Sequence, residues 1–130
     1  MKIILEPKEA EEIFYSSLCN AVGTGYMSGY GIELRTNYDD YIAAKDKLVS
    51  NGADTCYEDV LMQILRDGNT LKLVDVEGGE DDAVITLSDV YDRMSDVPLD
   101  ILVRFKDEQD DAGDADQVLQ IVFFKEIIYG

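Results

Sequence analysis

The apolar positions of this chain repeat mostly every three to four residues. Ala10, Ile13, Phe14, Leu18, Ala21 and Val22 recur at that spacing, which predicts one amphipathic helix opened by Pro7 and stopped at Gly23. Tyr41, Ile42, Leu48 and Val49 supply a second apolar face behind Asn37, read as a helix cap, with Gly52 as the stop. Tyr57, Val60, Leu61, Ile64 and Leu65 form a third stripe, closed by Gly68. Thr55 and Glu58 read as its capping box. Ser88 is read as the cap of a shorter helix ending before Pro98, because the residue before a proline resists helical backbone.

The remaining apolar runs are short and β-rich. Lys2–Leu5 and Ile32–Thr36 are candidate strands. Leu71–Val76 and Ala83–Leu87 flank Gly78 and Gly79, which predicts an antiparallel hairpin with an acidic loop. Leu99–Lys106 carries both periods. Ile101, Val103 and Phe105 alternate as in a strand, whereas Leu99, Leu102 and Val103 fit one helix face, and Pro98 at the front favours helix. Asp107–Asp116 is acidic, contains Gly113 and reads as a loop. Val118–Tyr129 is apolar almost all round, the pattern of a buried helix, with a strand as the alternative. The predicted fold class is α+β: one domain of 130 residues, several amphipathic helices packed with a small antiparallel β-hairpin.

Charge changes the picture most. The net charge is −17, and it is concentrated: Asp75–Asp116 holds 15 acids against the three bases Arg93, Arg104 and Lys106. Like charges at that density repel and oppose compaction. Eleven bases against 28 acids disfavour direct nucleic-acid binding, which relies on Lys and Arg to neutralise phosphates. An anionic membrane surface is disfavoured for the same reason. A basic protein partner is the electrostatically sensible target. Asp81, Asp82, Asp89, Asp92, Asp110 and Asp111 are the candidate contact residues, and the competing reading is a solvated face. Asp89, Asp92, Asp96 and Asp100 would align as one negative stripe only if helix continued across Pro98.

Catalytic chemistry finds little to work with. The chain has no histidine, which removes imidazole-based nucleophilic mechanisms and the common His-based metal sites. Cys19 and Cys56 stand far apart on predicted helices and read as free buried thiols. Aligning Gly113 with the glycine of an EF-hand loop leaves Leu119 at the position that needs a glutamate. An irregular weak cation site from Asp110, Asp111, Asp114 and Asp116 stays open as an alternative. No pair of carboxylates is marked out for acid–base work, so the expectation is a protein without enzymatic activity and without a cofactor. The glycine-rich run Gly23–Gly31 follows a helix and lacks the Lys and Ser/Thr pair of a phosphate loop. Its Tyr26, Met27 and Tyr30 are candidate ligand-binding residues, in a small-ligand binding protein, or are simply tucked into the core.

The apolar run Ile3–Leu5 is too short for a signal sequence, and Lys125 and Glu126 interrupt the C-terminal apolar stretch, so a cytoplasmic location is expected. Phe123, Phe124, Ile127, Ile128 and Tyr129 either fill the core or build a homodimer interface.

CYEDVLMQILRDGNTLKLVD (Cys56–Asp75), ITLSDVYDRM (Ile85–Met94) and DADQVLQIVFFKEIIYG (Asp114–Gly130) give the C-terminal part of the chain its texture. In these segments it resembles small acidic uncharacterised proteins of gut Bacteroidetes and of their phages or mobile elements. The resemblance implies a bacterial or phage cytosolic setting and a helix at Leu99–Lys106. It transfers no functional residue. The expectation is therefore an accessory protein of phage or mobile-element type that acts by binding another protein.

Overall fold

The computed structural model describes residues 5–22, 31–76 and 83–127. Pro7 fixes the first turn of α1 (Pro7–Ser17), and the Glu9 carboxylate accepts the Glu6 backbone N–H at 3.3 Å. The chain continues into a π-helical turn at Leu18–Val22. There follow β1 (Ile32–Arg35), a helical hairpin of α2 (Tyr38–Ser50) and α3 (Tyr57–Arg66), and the strands β2 (Leu71–Asp75) and β3 (Ala83–Ile85). Three helices complete the described residues: α4 (Leu87–Met94), α5 (Leu99–Lys106) and α6 (Ala112–Phe124). The class is α+β and mostly helical: among the described residues, six α-helices pack with one three-stranded antiparallel sheet.

The sheet has the order β1-β2-β3, so the predicted hairpin is present and β1 joins its other edge. Ile32 lies opposite Asp75, Leu34 opposite Leu73, and Leu71 opposite Ile85. Strand alternation then puts Ile32, Leu34, Leu71, Leu73 and Ile85 on one face, and the other face carries Glu33, Arg35, Lys72 and Val84. The apolar face meets a helical core in which Phe14, Leu18, Leu61, Met94 and Leu119 are fully buried. The rings of Phe14 and Phe123 lie 6.3 Å apart and join α1 to α6.

Helix ends follow the predicted stops where glycine supplies left-handed backbone. Gly52 (φ +68°) and Gly68 (φ +87°) end α2 and α3. In each case the residue beyond the glycine reaches back: Ala53 N–H to the Leu48 carbonyl at 2.9 Å, and Asn69 N–H to the Ile64 carbonyl at 3.1 Å. Asn37 caps α2 as expected, accepting from the Asp39 and Asp40 N–H groups.

Four readings need correction. The Thr55–Glu58 capping box does not form: Cys56 stands at the N-cap of α3 without a side-chain cap bond, and its thiol donates to the Asp59 carboxylate at 2.8 Å. Cys56 is accordingly exposed and Cys19 only half-buried, so neither is the buried thiol expected. The cap of α4 is Thr86, paired with Asp89, and not Ser88. The Asp107–Asp116 loop is shorter than read, because Asp111 caps α6 at Asp114 and Gly113 falls in the first helical turn. An Asp-x-x-Asp box there outweighs one glycine at a position whose N–H needs no intrahelical partner. The predicted break at Pro98 is present, so Asp89 to Asp100 do not form one continuous helical stripe. The Gly23 stop, the Gly78–Gly79 loop and nearly all of the Lys2–Leu5 strand lie outside the described residues.

Candidate functional site

Five of the eight residues of α5 are apolar, more than one buried stripe can absorb. Ile101, Leu102 and Phe105 point into the core. Leu99 and Val103, one turn apart, stay 56% and 44% exposed. The helix ends as α2 and α3 do, with Gln109 N–H reaching the Arg104 carbonyl at 2.8 Å and Glu108 N–H reaching the Phe105 carbonyl at 3.2 Å. Here the left-handed residue is Glu108 (φ +57°) where glycine would be the low-energy choice. An acidic side chain is thus held at this corner against a backbone cost of about 1 kcal/mol.

A clasp fixes α5 against α6. The Arg104 guanidinium donates to both Asp114 oxygens, Nε to Oδ2 at 2.8 Å and Nη2 to Oδ1 at 2.7 Å. Asp114 is 5% exposed, and the bonds from Arg104 hold its carboxyl below the usual range despite that burial. The same carboxylate accepts the Asp111 N–H at 3.3 Å, so one residue serves the helix cap and the ion pair. Asp110, next along, accepts from the Asn20 amide at 2.8 Å and ties the α5–α6 link to the π-helical turn after α1. Of the other bases in the acidic segment, Arg93 donates to the Val122 carbonyl at 2.7 Å and closes the far end of α6.

With α5 fixed in this way, a cleft of about 570 Å³ opens between α1 and α5. On one wall stand Glu9, Glu12, Ile13 and Ser16, and on the other Leu99, Leu102, Val103 and Lys106. Each set has the i, i+3, i+4, i+7 spacing of one helix face. Leu5 and Phe105 add apolar surface, and Glu108 and Asp110 stand beside the end of α5. Among the described residues, the result is an apolar floor with four acids and one base around it. Glu9, Glu12, Lys106 and Glu108 are exposed.

Among the acids predicted for partner contact, Asp110 lines this cleft. Asp89 is half-buried, accepts the backbone N–H of the α4 cap Thr86 and pairs with Arg93 at 3.3 Å, while Asp92 is exposed on α4. Asp111 is exposed and committed to the α6 cap. Asp81, Asp82, Tyr26, Met27 and Tyr30 lie outside the described residues. Asp116 is buried on α6, accepts from Gln120 at 2.8 Å, and burial pushes its carboxyl above the usual range. Asp111 and Asp114 thus pair with each other in the α6 cap, while Asp110 is held by Asn20 and Asp116 by Gln120. Among the described residues no cluster of three metal-ligating side chains forms. The apolar half of the cleft was missed by reasoning from charge. Its signal was the surplus of apolar residues in α5, Leu99 and Val103 above all.

At the C-terminal end Phe123 is buried, Phe124 half-buried and Ile127 48% exposed, so the core takes the first of these residues. No helix among the described residues is long and apolar enough to cross a membrane. The chain matches no protein-family model, no curated protein and no solved structure.

Proposed function

We propose that this protein is a non-enzymatic accessory protein of phage or mobile-element type, which binds a basic protein partner through an acidic surface. The observation that carries the reading is the cleft between α1 and α5, where apolar side chains are ringed by Glu9, Glu12, Glu108 and Asp110. A surplus of −17 over the whole chain supports it by steering cationic partners and repelling anionic ones. Leu99 and Val103, exposed one turn apart beside these acids, add apolar contact surface to the acidic rim.

The test is capture on the immobilised protein from a bacterial lysate, with elution along a salt gradient. One stoichiometric basic partner released at moderate salt, and lost from a Glu12→Lys/Glu108→Lys variant, is the expected result. A scatter of basic proteins retained equally by parent and variant would overturn it. The cleft volume also falls in the range of small-molecule sites, which favours a small-ligand binding protein as the second reading. A thermal-shift screen separates the two, since a ligand at a hundred times its dissociation constant adds about 2.7 kcal/mol.

A further inference from the structure

Among the described residues, the two walls of the cleft are single faces of two helices. α1 and α5 each turn an i, i+3, i+4, i+7 face toward the gap: Glu9, Glu12, Ile13 and Ser16 on one side, Leu99, Leu102, Val103 and Lys106 on the other. α5 is eight residues long, so its wall measures about 12 Å, or about two helical turns. Building on the reading of a basic protein partner, we infer that the segment docking there is an amphipathic cationic α-helix. It lays an apolar ridge on the exposed Leu99 and Val103, and its Lys or Arg side chains reach Glu9, Glu12 and Glu108.

Length and charge both select this occupant. Two turns of groove accept anchors at i, i+3 or i+4, and i+7, the spacing by which amphipathic helices seat in apolar grooves. An extended cationic strand needs an open sheet edge for its backbone hydrogen bonds, and both walls here are helices, whose backbone groups are already paired. A second copy of the chain would bring its own net −17 against the same acids, at a repulsive cost. Lys106, the one base among the described lining residues, stands one turn after Val103 at the end of α5, where it suits the helix C-terminus.

Four synthetic probes test this by fluorescence anisotropy on the full chain. The first is a peptide of about 14 residues, longer than the groove and marginally helical until it docks, with Leu at i, i+3, i+7 and i+10 and Lys or Arg between. The second is its scrambled isomer, the third carries a central proline, and the fourth is oligolysine of equal charge. The amphipathic peptide is expected to bind at least about tenfold more tightly than the other three. Leu99→Ser/Val103→Ser, an exposed pair, is expected to erase that preference, and Glu108→Gly, which suits the backbone, to weaken binding and flatten its salt dependence. Amide shifts in NMR spectra should map to residues 9–16 and 99–108. Equal binding of all four peptides overturns the helix and leaves the basic-partner reading intact. Binding of none overturns both. A dimeric mass by light scattering that Leu99→Ser/Val103→Ser abolishes would assign the groove to a second copy and overturn the helix.

Discussion

Replacing Asp114 by Asn tests the clasp between α5 and α6 with little change in shape. The amide keeps an oxygen for the Asp111 N–H, so the α6 cap survives, but it cannot accept two bonds from Arg104. Hydrogen bonds to charged groups contribute about 1.5–3 kcal/mol. The Asp114 side chain is 7% exposed but Arg104 is 40% exposed, so solvent screens the pair and the lower half of that range applies. The expected loss is about 2 kcal/mol at neutral pH, which for a domain of this size lowers Tm by roughly 6–10 °C. The pH dependence is the sharper readout. The Asp114 carboxyl titrates below its unfolded value, so its stabilisation is complete above the unfolded pKa of about 3.9 and disappears as pH falls through the depressed folded value. Urea titrations at pH 7, 5, 4 and 3 should show parent and variant converging in acid. Arg104→Gln should add little to the loss in the Asp114→Asn background. A deficit below about 0.5 kcal/mol at pH 7, or one that stays constant into acid, would refute the reasoning.

Three further outcomes are expected. Glu108→Gly should raise stability by about 0.5–1 kcal/mol, because glycine relieves left-handed backbone at the end of α5; chemical denaturation measures it, and destabilisation would contradict the cap geometry. Phe14→Ala, at a fully buried site facing Phe123, should cost about 3–5 kcal/mol, read as a lower urea midpoint at unchanged slope. Asp116→Asn addresses a carboxyl whose folded pKa is raised: the parent regains stability as pH falls from that raised value toward the unfolded one, and the variant does not. The variant should therefore compare best with the parent at pH 7 and worse at pH 4, and the opposite trend in paired melts would rule out burial as the cause.

The elements were legible where one local signal dominated. The stripe Val60, Leu61, Ile64 and Leu65 and the stops at Gly52 and Gly68 are local in sequence, and the structure follows them. Capping was less legible, because Asp, Thr and Ser compete for each N-cap and only the final packing chooses; Thr86 prevails over Ser88, and Cys56 displaces Thr55. The start of α6 was hidden because acids look alike in a list. Only the fold shows that Asp114 meets Arg104, that Asp110 meets Asn20, and that Asp116 is inside. The same blindness affected the site. A charge count weights every acid equally, whereas the cleft draws Glu9 and Glu12 from α1 and joins them to α5 from the other end of the chain.

The order of the sheet constrains how the chain assembles. β1 and β2 are neighbours, yet the whole α2–α3 hairpin lies between them in sequence. Pairing Ile32 with Asp75 before that hairpin forms would close a long flexible loop, with the entropy penalty such loops carry. Contacts between α2 and α3 are close in sequence and form at less entropic expense. The helical hairpin is therefore expected to set early and to deliver the two strands to each other, which places the folding barrier in the middle of the chain. Truncating Leu61 inside α3 should slow refolding, while loss of the Asp111 cap on α6 should mainly quicken unfolding. On this route the α1–α5 groove is among the last features to be completed, since its two walls come from opposite ends of the chain.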